Sequence, residues 1–529
     1  MTSVPAPAGR GPAAQKARIL VSIIFGIFMV ILDTTVINVA FQALRSEFGA
    51  SLNDSQWIIS IYVLAMGISM PLTGFLSKRF GLKRTYLAGL VIFAGGSLLC
   101  GFAPSLNFLV VARAIQGVGG GLAMPLGAAI LIRSFPPEEQ GKALGYYGIA
   151  SLVAPALGPI LGGILVDHNL WRFIFFINPP IGLLGFVLGS RFLPPLKDEG
   201  QPRLDLLGLL TEIVGFGAIL YAASVAANFG WSAPGVWTWF GVGLAGLLAF
   251  GAVELFVASE PLLDLRLFQK PVFLIASLLG YVGVIALFGA EFLLPIYLQF
   301  LRGRTAFATG LILLPMAVTG GVVTILAGQL YDRVGPRLLL AFGYGMLIVN
   351  TWQLSQLKAD TPIAWIMFLL VLRGLALGAT IQTTFVTALS VVPLKQVAQG
   401  SSLTNATRQV AQAIGVAILA TVLAAALSPR IAALQQAFMD QPVQAGAAPL
   451  AVCAPPGAPR AALAPASGAT ADFFAQLGQV CRENIAGFEQ AYRITFFASI
   501  VALALGLLLP GWPLKWAGRR AADVPPPAH

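Results

Sequence analysis

Charge is scarce in this sequence: Asp, Glu, Lys and Arg make up 10% of its 529 residues, while 57% are hydrophobic. Soluble domains carry roughly 25% charged residues because their surfaces face water. An ordinary soluble protein is therefore excluded, and the mean hydropathy of +0.84 assigns the chain to a bilayer. Histidine is nearly absent. His168 and His529 are the only two, so no zinc cluster can form and no metal is expected. The chain has no G-x-x-x-x-G-K-S/T phosphate loop, and GVGGG at 117–121 lacks the strand and turn of a nucleotide fingerprint. An ATP-driven motor would have to be a separate partner. No enzymatic site and no cofactor are expected. Clustered basic residues are missing too: the 32 Lys and Arg, set against 21 Asp and Glu, lie mostly between apolar runs. That is the pattern of membrane topology rather than of nucleic-acid binding.

What is present is a succession of long apolar segments, each able to cross a bilayer. Six of them, Arg18–Ala43, Trp57–Ser77, Tyr86–Ala103, Asn107–Arg133, Gly141–Val166 and Trp171–Leu193, form a first half. Leu204–Phe229 and Pro234–Val257 follow the polar connector 194–203. After a second connector, 258–270, come Pro271–Phe300, Phe307–Gln329, Arg337–Leu354, Pro362–Ser390, Ser401–Leu427 and Ala491–Pro510. The reading is an all-α integral membrane protein of 14 transmembrane helices. The tails 1–17 and 511–529 lie on the cytoplasmic side, because Lys78, Arg79, Lys83 and Arg84 crowd one short loop and basic loops stay inside. The connection 428–490 then lies outside. Its Ala-, Pro- and Gly-rich stretch 441–469 suits a cap over a cavity mouth or a contact for an accessory protein. Cys453 and Cys481 share this oxidising side, so a disulfide and two free thiols are both open readings, whereas Cys100 fills space in an apolar helix.

Within the first segment, VILDTTVINVA at 30–40 carries Asp33. A carboxylate deep in hydrocarbon costs about 2.5–3.5 kcal/mol on insertion scales, so it is expected to face protein or a wet cavity. Thr34 and Asn38 are four residues apart and share a helix face that could line the same cavity. The fourth segment carries Arg113. The second half has Glu291 on its first segment and Arg373 on its fourth, and the two separations along the chain, 80 and 82 residues, nearly agree. Parallel structural repeats would place these as two acid/base pairs at similar depth in the external half. Each carboxylate would take up a proton from one side and release it to the other; a purely structural ion pair is the competing reading. Glu212 and Glu254 rank lower, because long side chains near a membrane interface reach water unaided. Arg408 would bind an anionic group or pair locally. Phe292 and Tyr297 offer an aromatic surface to a lipophilic cargo or simply pack in the core. Ala150, Ala154, Gly158 and Gly162 recur every four residues, alongside Pro155 and Pro159, giving a helix that packs closely and bends, as a static contact or a hinge.

With these residues in view, the chain resembles the major facilitator superfamily, and specifically its fourteen-span drug:proton antiporters. LDTTVINVA at 32–40 is similar to that branch's first-helix signature, matching at Asp33 and Asn38, although Phe41 and Gln42 stand where a leucine-proline pair usually follows. GFLSKRFGLKR at 74–84 resembles the cytoplasmic gating motif through Gly74, Arg79, Gly81, Lys83 and Arg84, with Lys78 in the place of the motif's aspartate. GQLYDRVGPR at 328–337 is a fuller second copy, including Asp332, Arg333 and Arg337. LVVARAIQGVGGG at 109–121 is similar to the motif of proton-coupled members through Arg113, Gln116 and Gly117. ALGPILGG at 156–163 resembles the antiporter motif, with Gly158, Pro159, Gly162 and Gly163 matching. The likeness continues through SSLTNATRQ at 401–409, which includes Asn405.

The resemblance implies two six-helix bundles, 18–193 and 271–510, around a central cavity, with 204–257 as two additional helices between them. It implies export of amphipathic or hydrophobic compounds against proton entry, with the gating charges latching the inner side. A bacterial inner membrane is the expected location. A periplasmic adaptor and an outer-membrane channel are expected partners if an outer membrane surrounds the host. The alternatives are a carrier of lipid or of a hydrophobic metabolite without proton exchange, and a membrane assembly or receptor protein.

Overall fold

In the computed structural model, residues 12–50, 52–196, 204–258, 261–425, 453 and 471–511 are described. All regular structure among them is helical. The first half contains α1 (Pro12–Glu47), α2 (Leu52–Ser69), α3 (Leu72–Phe80), α4 (Leu82–Gly101), α5 (Leu106–Ser134), α6 (Gln140–Asp167), α7 (Phe173–Phe176) and α8 (Asn178–Phe192). Two further helices follow, α9 (Leu206–Phe229) and α10 (Val236–Ala252), the latter ending in a π turn at Val253–Val257. The second half contains α11 (Pro271–Ile296), α12 (Ala306–Val334), α13 (Pro336–Leu354), α14 (Ile363–Ser390), α15 (Val397–Ala425) and α16 (Ala471–Leu507). Among the described residues, 11 helices are long and apolar enough to cross a membrane, or 12 if the bent pair α2–α3 counts as one span.

The sequence reading took Trp57–Ser77 as one straight segment, but α2 and α3 meet at a 54° bend. Pro71 explains the break, since it cannot donate to the preceding turn. The segment Trp171–Leu193 is likewise divided into α7 and α8, and Asn178-Pro179-Pro180 starts the second piece. A third difference is larger: the connection expected to run to residue 490 gives way to helix at Ala471. Val480, Asn484, Phe488, Tyr492, Thr495 and Ser499 are all buried along α16. They recur every three or four residues, so one face of a helix packs against protein well beyond the bilayer segment. The low-complexity stretch 441–469 lies outside the described residues apart from Cys453. That residue is joined to Cys481 by a disulfide, and its backbone N–H donates to the Leu301 carbonyl at 2.9 Å.

In the first half α1 packs on α6 and α8, and α5 lies between α2 and α4. In the second, α14 lies between α12 and α13, and α16 packs on α11 and α13. The halves meet chiefly along α6 and α12. This seam is narrow because of glycine: a Cβ at Gly145 would lie 2.8 Å from the Thr324 carbonyl, and one at Gly328 would lie 2.5 Å from the Gly141 carbonyl. Small residues let helix backbones approach where lipid gives no hydrophobic drive to association. Gly158 and Gly162, farther along α6, meet Thr35 and Val36 of α1 instead.

Candidate functional site

Asp33 is 1% exposed. Three side chains donate to its carboxylate: Arg113 Nη1 to Oδ2 at 2.5 Å, Gln116 Nε2 to Oδ1 at 2.8 Å and Asn178 Nδ2 to Oδ1 at 2.8 Å. Arg113 and Gln116 are three residues apart on α5, so both face α1. Arg113 holds other partners as well. Its Nε donates to the Ile58 carbonyl at 3.0 Å, its Nη1 donates to Gln116 Oε1 at 2.8 Å, and its guanidinium lies 4.0 Å from the centre of the Tyr62 ring. The approach of α2 that supplies Ile58 and Tyr62 depends on Gly117, where a Cβ would lie 2.5 Å from the Tyr62 carbonyl. Asn178 is itself oriented by donating to Ser97 Oγ at 3.0 Å.

A buried ion pair repays its desolvation only when further hydrogen bonds satisfy the remaining lone pairs and protons. Here four elements, α1, α2, α5 and the head of α8, supply them. The arrangement also has a property that suits a carrier. If Oδ2 takes a proton, Arg113 keeps the Ile58 carbonyl, Gln116 and the Tyr62 face, while Oδ1 keeps Asn178 and Gln116. The charge on the carboxylate can change without leaving a bare buried guanidinium.

Arg373, fully buried on α14, donates from Nη1 to Asn350 Oδ1 at 3.2 Å and from Nη2 to the Ala286 carbonyl at 3.3 Å, with a shorter bond to the Leu287 carbonyl. These carbonyls lie about one turn before Glu291 on α11. The side chains of Glu291 and Phe292 lie outside the described residues. Arg113 and Arg373 thus share a device: an arginine on the fourth apolar segment of its half, bound to a backbone carbonyl of a neighbouring helix.

A small cleft lies between α11, α13, α14 and α15. Ser277, Tyr281, Tyr344, Thr384, Phe385 and Arg408 are among its lining residues. Of the sequence candidates for a cavity it brings in Arg408. Tyr297 is elsewhere, for a physical reason: its hydroxyl donates to the Lys358 carbonyl at 2.6 Å and accepts from Arg302 at 3.0 Å, which ties the ring to a connection. Asn405 donates back to the Ser401 carbonyl of its own helix at 2.8 Å. Gln116 belongs to the Asp33 network. Thr34 is half-buried and donates to the Val30 carbonyl at 3.2 Å, and Asn38 is exposed.

At the end of the molecule bearing the Lys78–Arg84 loop, here the basic end, the halves are joined by polar contacts. Asp332 accepts from the Gly141 and Lys142 amides at 3.0 and 3.2 Å, the unsatisfied donors at the head of α6. Ser401 Oγ donates to the Pro125 carbonyl at 2.9 Å, and Ser402 Oγ to the Met70 carbonyl at 2.5 Å. Gly74 packs against Gln399 and the Leu262 carbonyl. Arg79, Arg84 and Arg333 are exposed, Lys78 and Arg337 half-buried. Gly81 and Gly335 turn the chain with φ of 91° and 78°, conformations suited to glycine.

Two expectations change. Glu212 and Glu254 do not reach water: they are 0% and 2% exposed. Interface snorkelling fails because α9 and α10 pack against each other along their length and enclose both carboxylates. Asn178 was not singled out from sequence. Its only signal was a polar residue before two prolines, which reads as a helix start.

An all-helical membrane chain with a buried carboxylate network and two halves meeting along glycine-lined helices is built as a secondary transporter. The Major Facilitator Superfamily model matches residues 23–416, and the chain belongs to that family. It is 35% identical over 410 residues to the uncharacterized MFS-type transporter YhcA of Bacillus subtilis, covering 78% of this chain and 77% of that protein. It is 30% identical over 409 residues to the lincomycin resistance protein LmrB of the same organism, covering 77% and 85%. A bacterial homologue of the human lysosomal transporter Spinster, in an inward-facing crystal structure, shares the fold with a TM-score of 0.54 at 18% identity, covering 94% and 97%. The protein is a multi-pass transporter of small molecules related to bacterial drug-resistance proteins, and it is not an enzyme.

Proposed function

We propose that this transporter exports amphipathic or hydrophobic compounds in exchange for protons, by alternating access between two six-helix bundles. In this reading the bent pair α2–α3 is one span, and α11 and α13 complete a set of fourteen. The membrane is a bacterial inner membrane with both termini inside. The Asp33 network carries the proposal: a single carboxylate held by three neutral or cationic donors, with spare partners for the arginine when a proton arrives. The relationship to LmrB supports the direction and the class of cargo.

Proton uptake at Asp33 favours one opening and cargo occupancy the other, so each drives the other's movement only through this difference in affinity. Glu291 would play the same part in the second half. The gradient dependence of transport in proteoliposomes tests the reading. Cargo movement indifferent to an imposed pH gradient would instead mark a facilitator for a lipid or hydrophobic metabolite.

The second-half cleft is the proposed cargo site, with aromatic walls and one cation. Arg408→Gln is expected to raise KM for an anionic amphipathic cargo about tenfold, the equivalent of roughly 1.4 kcal/mol. KM for a neutral analogue of the same shape should stay within about twofold. Equal changes for both cargos would remove Arg408 from the site.

A further inference from the structure

The helices α9 and α10 lie outside the two bundles, and their acids have no place in the exchange described above. Glu212 is fully buried, and neither of its carboxylate oxygens has a hydrogen-bond partner. Glu254, in the π turn after α10, is buried as well. Its Oε1 accepts from the Leu262 amide at 3.1 Å, and its Oε2 has no partner. Gly208 lies one turn before Glu212 on the same face of α9, and a Cβ there would come 3.0 Å from Glu254 Oε1. Asp205, at the head of α9, accepts from the Gly208 amide at 2.9 Å and leaves its Oδ2 without a partner. Three carboxyl groups therefore gather at one end of the α9–α10 hairpin.

Among the described residues the ionisable groups acting on Glu254 are two more carboxyl groups, Asp205 and Asp264, and Arg266, on the 3-10 turn Leu265–Gln269 that packs on the π turn, is exposed. The ionisable group acting on Glu212 is Glu254. Helix α10 has no titratable residue. Helix α15 has only Arg408, which lines the cleft of the second half. From α2, Tyr62 faces Arg113 and Asp54 lies at the opposite end. No group of three metal-ligating side chains suited to a metal ion occurs among the described residues. Burying an ionised carboxylate without a partner costs far more than burying the neutral acid, and two adjacent carboxylates resist carrying both charges.

We propose that Glu212 and Glu254 together form a second proton-binding site, linked to the gate at the basic end. The link is the Pro261–Leu262 segment. The Leu262 amide bonds Glu254, the Leu262 carbonyl abuts Gly74 of α3, and the Pro261 carbonyl accepts from Gln399 of α15 at 2.8 Å. Gly74 and Gln399 belong to different halves. A proton lost from the acid pair puts a charge beside the strap that bridges the halves. Separation of the gate admits the water that charge requires, so opening and proton release favour each other.

The test uses the full-length protein in lipid without a gradient, and its first readout without cargo, so that it does not depend on antiport. Infrared difference spectra between acid and alkaline pH report buried carboxyl groups directly. Wild type is expected to show a carboxyl band that Glu212→Gln removes and Asp33→Asn leaves in place. Glutamine copies the shape of the neutral acid, so folding should be preserved; Glu254→Gln, which keeps an acceptor for Leu262, should remove or shift the same band. Cargo counterflow without a gradient should then depend on pH in wild type and become flatter in both variants. A spectrum unchanged by Glu212→Gln overturns the site, and a counterflow profile unchanged by both substitutions overturns its link to the gate. Loss of coupling in Asp33→Asn alone bears on the antiport reading and leaves this one standing.

Discussion

Asp33→Asn is expected to abolish cargo accumulation driven by a pH gradient while leaving counterflow measurable. The amide keeps roughly the shape of the carboxylate but cannot exchange a proton, so the two openings lose their proton-dependent difference. Stability should fall as well. If the new amide keeps its oxygen toward Gln116 and Asn178, its NH2 faces the Arg113 guanidinium, donor against donor. Breaking a buried pair from one side costs about 3–5 kcal/mol, and the partners Arg113 keeps, the Ile58 carbonyl, Gln116 and the Tyr62 ring, put this loss at the lower end of that range. Combining Asp33→Asn with Arg113→Gln should recover most of that loss in a thermal unfolding assay without recovering coupling. Gradient-driven accumulation persisting in well-folded Asp33→Asn would remove the residue from its role.

Gly141→Val is expected to hold the basic end apart and slow turnover severely. A Cβ at this position would lie 2.5 Å from Asp332 Oδ1, 2.7 Å from the Gly328 carbonyl and 2.9 Å from the Tyr331 ring. Two of these three obstacles are the acid anchored on α6 and a backbone group, so the helices themselves must move. Overpacking costs about 1–3 kcal/mol, which would shift the closed-to-open ratio roughly 5- to 150-fold. Asp332→Asn should do less, because an anion at a helix head contributes typically 0.3–1 kcal/mol and the amide oxygen still accepts from Gly141. Crosslinking between cysteines placed at the ends of α6 and α12 would read closure directly. Equal crosslinking in wild type and Gly141→Val would show that this contact does not control the gate.

The two experiments separate functions that the fold keeps apart. Asp33 lies among α1, α2, α5 and α8 of one half. The Asp332 contact joins α6 to α12 across the halves. A failure of coupling with closure intact belongs to the first, and a failure of closure with a normal carboxyl network belongs to the second.

Much of this was legible along the chain. Long apolar runs identify helices in lipid because a backbone there must satisfy its own hydrogen bonds. Asp33 and Arg113 stood out because charge is costly in such runs. Gly158 and Gly162 announced a close helix contact, since small residues at four-residue spacing let another backbone approach, here that of α1. The chain also showed Glu212, but nearness to a segment end suggested access to water. Helix packing reversed that reading: α10 and the following turn cover the carboxylate. Asn178 and Asn350 gave little signal, because a single amide in an apolar segment has meaning only through the group it meets.

The sequence by itself determined the membrane class, the helical segments and the acids and arginines within them, because solvation cost depends on residue type and local run length. Only the tertiary structure decided which of those groups meet one another. Asp33 meets Arg113 across 80 residues of chain, Arg408 enters a cleft while Tyr297 does not, and Glu212 is enclosed beside Glu254. Partners far apart along the chain are chosen by how helices pack, and hydropathy along one segment carries no record of the neighbour on its other side.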